Sequence, residues 1–292
     1  MRETGLVLKG VGGFYTILTQ DNEEVTALAR GRFRLEGLTP VCGDKVEFVR
    51  QKDGHAAIVE ILERTNLLIR PQVANIDQLV IVLSLSAPKP DLLLLDKLLL
   101  QAAPLKIEPL IVFNKADEAD DALLSPLLVE YAAYKTLTLS AHTGQGVPAL
   151  KEALKNKISC FAGQSAVGKS SLLNALLPKL NLPVGKLAKR ALRGRHTTRH
   201  AELWPYQGGA VLDTPGFSLL ELKALEQPEL DLAYREFGDA PKSCRFALCS
   251  HRSEPGCAVR SLAEKGSLSK GRYERYVELR NQFETLFKER YD

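Results

Sequence analysis

The pattern with the clearest chemical meaning is the run Gly163-Gln164-Ser165-Ala166-Val167-Gly168-Lys169-Ser170. It matches the phosphate-loop pattern, and it lies between an apolar run and a helical stretch, as that motif requires. The glycines let successive backbone N–H groups turn toward an anion at the start of a helix. We expect Lys169 to reach the β- and γ-phosphates of a nucleotide, the Ser170 hydroxyl to bind Mg²⁺, and Ser171 to belong to the same site. The loop alone does not distinguish ATP from GTP.

A second motif, Asn114-Lys115-Ala116-Asp117, follows an apolar run and has the residue types that read guanine. A carboxylate only accepts hydrogen bonds, and guanine offers two adjacent donors, N1–H and the 2-amino group. Adenine presents an acceptor there, so Asp117 would be left unpaired against it, and such mismatches discriminate strongly. We expect Asn114 to support the other edge of the base and Lys115 to cover its face. The loop that contains Ser140 and Ala141 is expected to touch the base through its backbone.

Two further segments predict the metal side of the site. Asp213 and Gly216 match the pattern Asp-x-x-Gly at the end of an apolar run. We expect Asp213 to hold Mg²⁺ through water and the Gly216 N–H to meet the γ-phosphate. Thr197 and Thr198 lie between this motif and the phosphate loop, where a switch threonine belongs, and Thr198 is favoured as the magnesium ligand. A loop held only by the γ-phosphate and Mg²⁺ is released on hydrolysis.

The group that orients the attacking water is the least determined part of this site. Many GTPases place a glutamine directly after Asp-x-x-Gly, but this chain has Phe217, which cannot orient water. Intrinsic turnover is therefore expected to be slow. Our hypothesis is that His196, beside the switch threonines, acts with Lys169 and Thr198 in catalysis. Two alternatives stay open: a partner supplies the group in trans, or His196 only contacts phosphate.

A metal site is predicted near the C-terminal end of the chain. Three of the five cysteines fall within fourteen residues, in the spacing Cys-x4-Cys-x-His-x5-Cys. Three thiolates and one imidazole form a complete tetrahedral set for Zn²⁺, and four protein ligands leave no open position, so the site is expected to be structural. The predicted ligands are Cys244, Cys249, His251 and Cys257. Cys42 and Cys160 are interpreted as small core residues.

The elements that position these motifs divide the chain into three parts. Residues 1–66 show short strands between turn signals, which favours an all-β OB-fold barrel. Residues 67–225 alternate apolar strands with helices, which indicates an α/β domain with a mostly parallel sheet. Residues 226–292 hold the cysteine cluster and a helix over 268–288. The fold class is thus multidomain: an OB barrel, a central α/β P-loop domain and a mainly helical zinc module.

The order of the motifs is unusual, because the base-reading loops precede the phosphate loop. GTPases ordinarily start with the phosphate loop, so the order indicates a circular permutation, which compact domains tolerate. The permutation places residues 213–216 near the end of the domain, where their movement can pass into the C-terminal module.

Composition places the chain among ordinary globular proteins, with 45% hydrophobic and 25% charged residues in 292. Absence of an apolar run of about 18 residues, and of a signal-peptide core at the N-terminus, predicts a cytoplasmic protein without a membrane partner. Net charge is only +4, but residues 186–200 contain six Lys or Arg and no acid, which indicates either a phosphate-binding or a solvated loop. Arg30, Arg32 and Arg34 would share one strand face, which could either bind RNA or be an ordinary exposed polar face.

Taken together, these motifs resemble the bacterial ribosome small-subunit-dependent, circularly permuted GTPases over essentially the whole chain. The barrel run 29–34 and the linking run 66–78 also match. The resemblance implies a GTPase that is stimulated by the small ribosomal subunit, acts late in its assembly and contacts its rRNA through both flanking modules. It also implies a role for the switch histidine that matches His196. The competing interpretation is an RNA-binding module in which GTP only stabilises one conformation. A monomer is expected.

Overall fold

The computed structural model describes residues 1–29, 31, 33, 37–51, 55–69, 71–119, 121–180, 182, 201–213 and 227–288. Three bodies follow one another along the chain: a β-barrel, an α/β domain and a helical module. None of the helices within these ranges combines the length and apolarity that a bilayer crossing needs.

The N-terminal body is a closed five-stranded barrel with the strand order β1-β2-β3-β5-β4, in which β1 also pairs with β4. All neighbouring pairs are antiparallel except β3 and β5. This is the arrangement of an OB-fold, so that prediction is confirmed. Side chains at alternate positions of β2, β3, β4 and β5, together with Val7 of β1, fill a small apolar core. The strands are β1 Glu3–Val11, β2 Phe14–Thr19, β3 Glu24–Ala29, β4 Lys45–Arg50 and β5 Ala56–Ile61.

The central body is a six-stranded sheet with the order β10-β9-β8-β11-β13-β12, preceded by a two-stranded hairpin of β6 and β7. Five strands are parallel, and β12 at the edge is antiparallel to β13. The hairpin and β12 are too short to have been predicted. The strands are β6 Leu67–Ile69, β7 Gln72–Ala74, β8 Gln78–Ser84, β9 Glu108–Asn114, β10 Lys135–Thr138, β11 Ile158–Ala162, β12 Trp204–Tyr206 and β13 Gly209–Asp213.

Helices cover both faces of this sheet, which is why its central strands are largely apolar. Along β8, Leu79 and Ile81 pack into the core on one face, and Val80 and Val82 pack into the core on the other. The first two helices of this domain cover the face of Leu79 and Ile81, and the next two cover the face of Val80 and Val82. The helices are α1 Leu92–Ala102, α2 Asp121–Glu130, α3 Val147–Ala153 and α4 Lys169–Leu176, with 3-10 turns at Ala116–Glu118 and Pro178–Leu180.

The C-terminal module is helical and packs against α1. Leu100 of α1 lies in the same apolar cluster as Leu230, Tyr276 and Phe283 of the module. The module consists of α5 Gln227–Ala233, α6 Ala258–Glu264 and α7 Lys270–Lys288, with 3-10 turns at Arg235–Phe237 and Ala240–Ser243. The long helix α7 confirms the predicted C-terminal helix.

Buried ion pairs reinforce this junction. Asp96 of α1 is fully buried, and its carboxylate pairs with Arg272 and with Arg275, the latter at 2.7 Å between Nε and Oδ2. Tyr131 donates to the same carboxylate at 2.6 Å. Burial alone lowers the pKa of Arg272, but Asp96 and Glu236 more than reverse this effect, so its pKa lies well above the ordinary value. The helix α7 is therefore tied to the α/β domain by charge as well as by apolar contact.

Candidate nucleotide site and metal centre

The phosphate loop lies at the carboxyl end of β11, and α4 begins directly after it at Lys169. The neighbours of β11 are β8 and β13, so the loop occupies the crevice where the order of connections reverses, the usual ligand position in open α/β sheets. Gly163 has φ 132° and Gly168 has φ 100°, values that L side chains rarely adopt. A Cβ on Gly163 would collide with the Val82 carbonyl, and a Cβ on Gly168 would collide with the Asn114 amide.

The ammonium group of Lys169 lies over this loop. Its Nζ donates to the carbonyl oxygens of Gly163 at 2.7 Å and Gln164 at 2.9 Å. The lysine is therefore at the position from which a phosphate-loop lysine reaches bound phosphates. Ser170 and Ser171 follow in the first turn of α4, and Ser165, Ala166 and Val167 form the crest of the loop.

Asn114 joins the phosphate loop to both base-reading loops. It is the last residue of β9 and is 1% exposed. Its Nδ2 donates to the Val167 carbonyl at 2.8 Å, and its Oδ1 accepts from the Ala141 backbone N–H at 3.0 Å. Support of the base by this amide stays a prediction, whereas the structure shows that the amide fixes the mutual positions of the three loops. The motifs that are distant in sequence are thus brought to one edge of the sheet.

The carboxylate of Asp117 lies beside the loop that contains Ser140. Ser140 is fully buried, and its hydroxyl also accepts from the Thr143 backbone N–H at 3.1 Å. The hydroxyl of Ser140, and with it the imidazole of His142, hold the pKa of Asp117 below its ordinary value. Asp117 is therefore ionised at neutral pH and acts as an acceptor, the role that reading guanine requires.

Lys115 lies in the left-handed region with φ 63°, between Asn114 and the 3-10 turn. Its Nζ donates to the carbonyl oxygen of Ala87. Ser86, in the same loop after β8, donates to Glu118 at 2.7 Å. The loop that contains Lys115 and Glu118 is thus also held by the loop that follows β8.

Part of the predicted magnesium and switch site falls outside the described residues. The predicted residues outside the described ranges are His196, Thr197, Thr198, Gly216 and Phe217. For Asp213, the structure describes the backbone at the end of β13, one strand away from the phosphate loop. Ser170 at the start of α4 is the predicted magnesium ligand whose side chain the structure describes, and its hydroxyl directly follows the phosphate-loop lysine, as that role requires.

The four predicted metal ligands come together in the C-terminal module. Their ligand atoms all lie within 4.8 Å of one another. The Nδ1 of His251 is 3.5 Å from Sγ of Cys244 and 3.4 Å from Sγ of Cys257. Ligands of a tetrahedral zinc with Zn–S distances of about 2.3 Å stand about 3.8 Å apart, so the donor set fits this geometry. Cys249, Cys257 and His251 are buried, which suits a closed structural site.

A partner of the metal cluster that the sequence did not reveal is Asp231 of α5. Its Oδ2 lies 3.2 Å from Nε2 of His251, the ring nitrogen that faces away from the cysteines. Tyr276 donates to the other oxygen at 3.0 Å. Metal-binding histidines usually donate their second N–H to a carboxylate, which orients the ring and raises its basicity. Asp231 lies twenty positions before His251 with no motif around it, so no sequence signal identified it.

The fold and the assembled loops define a P-loop GTPase in which the base-reading loops precede the phosphate loop, that is, a circularly permuted GTPase. A family model described as RsgA GTPase matches residues 61–223, and one described as RsgA N-terminal domain matches residues 4–58. The chain belongs to the RsgA GTPase family.

Individual relatives agree with this assignment over nearly the whole chain. The small ribosomal subunit biogenesis GTPase RsgA of Moorella thermoacetica is 45% identical over 275 residues, which are 94% of each chain. The crystal structure of YjeQ from Thermotoga maritima superposes with a TM-score of 0.86 at 37% identity and covers 97% of this chain and 99% of that one. YloQ, described as a circularly permuted GTPase, has a TM-score of 0.83 at 33% identity, with 98% and 96% covered.

Proposed function

We propose that this GTPase acts in the assembly of the small ribosomal subunit and that the subunit stimulates its hydrolysis of GTP to GDP and phosphate. The proposal rests on the hydrogen bonds of Asn114, which join the phosphate loop to the predicted guanine-reading loops. Relatives that match nearly the full chain are named small ribosomal subunit biogenesis GTPases.

In this proposal the described residues bind and orient the nucleotide. Asp117 accepts the two donors of guanine, Asn114 supports the other edge of the base, and the loop that contains Ser140 and Ala141 touches the base through its backbone. The loop 163–168 surrounds the phosphates with backbone N–H groups at the start of α4, where the helix dipole favours negative charge. Lys169 places its positive charge beside the β- and γ-phosphates. This arrangement orients the γ-phosphate and stabilises the charge that develops during transfer to water.

The metal side of the nucleotide site would be held by Ser170, Asp213 and Thr198. When bound there, Mg²⁺ neutralises phosphate charge during hydrolysis. The Gly216 N–H would contact the γ-phosphate, and His196 would orient the attacking water. Because Phe217 replaces a water-orienting side chain, turnover without the subunit is slow in this proposal.

The metal of the C-terminal cluster is Zn²⁺ in this proposal, because three thiolates and one imidazole are a donor set that zinc prefers. One zinc per chain, held by four protein ligands, would fix the loop 244–257 against α7. The barrel and the zinc module would bind rRNA of the small subunit, and the chain would act as a monomer in the cytoplasm, where bacterial ribosomes are assembled.

The test is GTP hydrolysis with and without purified small ribosomal subunits, at single turnover and at steady state. Large subunits and ATP serve as controls. Stimulation by small subunits alone supports the proposal. Tight GTP-dependent binding without stimulation favours an RNA-binding module that GTP only switches. Absence of both leaves a GTPase but contradicts the ribosomal role.

A further inference from the structure

His142 contacts the carboxylate that reads the base. Its Nδ1 lies 3.3 Å from Oδ2 of Asp117, and the two residues are 25 positions apart in sequence. Because a carboxylate at neutral pH has only acceptors, the ring nitrogen at this contact must carry the proton. The imidazole is 89% exposed, whereas the Asp117 side chain is 19% exposed. A freely accessible donor therefore contacts a carboxylate whose side chain is only partly exposed.

The two donors to Asp117 differ in how easily a ligand can replace them. Ser140 is fully buried and also accepts from Thr143, so it stays in place. His142 is exposed, and contacts of this kind contribute little to stability. Guanine needs acceptors on Asp117 for both N1–H and its 2-amino group. Of these two donors, the 2-amino group lies farther from O6, and the exposed contact of His142 is the one that such a donor can replace.

We propose that His142 occupies the acceptor of Asp117 that the 2-amino group of guanine uses, so that binding of the nucleotide exchanges one donor for the other. This inference rests on the proposed reading of guanine by Asp117 and makes His142 a residue that sets base specificity. The imidazole keeps the carboxylate paired before the base arrives. It also lowers the affinity for any nucleotide whose base must displace it.

A base without the 2-amino group distinguishes this role from simple packing. Hypoxanthine keeps N1–H but has no 2-amino group, so His142 can stay bonded to Oδ2 when an inosine nucleotide binds. In the wild type, the imidazole therefore compensates for the missing donor. Without it, that acceptor is left unpaired in the inosine complex, whereas the guanine complex loses nothing. Discrimination between guanine and inosine nucleotides should then increase.

The experiment measures the dissociation constants of GDP and inosine diphosphate by calorimetry for the wild type and for variants at residue 142. His142→Ala removes the donor, His142→Phe keeps a ring without it, and His142→Gln keeps a donor. We expect the preference for GDP to rise about twofold to fivefold in the first two variants and to stay near the wild-type value in the third. His55→Ala, an exposed histidine of the barrel, is the control and should leave the preference unchanged.

An unchanged or lower preference in His142→Ala and His142→Phe, with GDP still bound, overturns the inference and leaves the proposed function intact. If the wild type binds neither diphosphate, the proposed function itself fails, and the inference fails with it. A rise in the Gln variant equal to that in the Ala variant also contradicts the role, because the donor would then be irrelevant.

Discussion

Replacement of Asp96 by alanine should loosen the C-terminal helix from the α/β domain. Asp96 is 0% exposed, and it is the carboxylate that pairs with both Arg272 and Arg275 of α7. The variant leaves Arg272, itself 0% exposed, with Glu236 at 2.6 Å as its remaining acidic partner. A buried guanidinium that loses half of its opposite charge is costly, because water cannot replace the carboxylate.

The magnitude follows from the partners that remain. Removal of one partner of a buried ion pair commonly costs about 3–5 kcal/mol. Arg272 retains Glu236 and lies 4.1 Å from the centre of the Tyr234 ring. Arg275 retains Glu130 as an acidic partner. The cost therefore lies at the lower end of this range. We therefore expect a loss of about 3 kcal/mol, which corresponds to an increase of about 100-fold in the opening equilibrium of α7.

Hydrogen exchange of the backbone amides of α7 measures this opening directly. Asp96→Ala should accelerate exchange in the middle of the helix by about two orders of magnitude, while the amides of the barrel keep their rates. Lys242→Ala is the matched control, because the Lys242–Asp239 pair is more than 80% exposed on both sides and contributes little. Acceleration of less than about fivefold in Asp96→Ala would falsify the claim that this buried charge holds the module in place.

Two further variants test the metal centre and the phosphate loop. Asp231→Asn should weaken zinc binding about tenfold to 100-fold, because the amide cannot hold the second nitrogen of His251 as a carboxylate does. Competition with a chromogenic chelator measures the zinc affinity. An unchanged affinity would contradict the orienting role of Asp231. Gly168→Ala should weaken GDP binding at least about tenfold, because the added Cβ collides with Asn114 at a positive φ. Gly13→Ala, also at a positive φ but in open space on the barrel, is the control for calorimetry, and equal losses of GDP affinity in both variants would contradict the collision argument.

The sequence was sufficient to predict β8, β9, β11 and β13 of the central sheet because their apolar runs are nearly continuous. Such runs occur where helices cover both faces, as the burial of β8 shows. The edge strand β12 was not predicted, since it has three residues, includes Pro205 and pairs through only one side. Helix α2 also went unpredicted, because its apolar residues show little periodicity and it contains Pro126.

The chemistry of each motif was predictable, but the contacts between motifs were not. A phosphate loop is a local pattern, whereas the bond from Asn114 to Val167 joins residues 53 positions apart. The same holds for the pair of Asp96 and Arg275, which are separated by 179 positions and carry no motif. Ligand types identify a metal site from sequence, but the acceptor behind His251 depends on where α5 packs. Long-range polar contacts of this kind become visible only in three dimensions.

The most direct test of the central claim compares hydrolysis of GTP and of xanthosine triphosphate by the wild type and by Asp117→Asn. Asparagine offers a donor to the C2 carbonyl of xanthine where aspartate accepts from the amino group of guanine. The variant should lose kcat/KM for GTP by about two orders of magnitude or more and gain kcat/KM for the xanthine nucleotide. Asp239→Asn, an exposed change in the C-terminal module, should keep the preference for GTP. If Asp117→Asn keeps that preference as well, Asp117 does not read the base, and the proposed site is wrong.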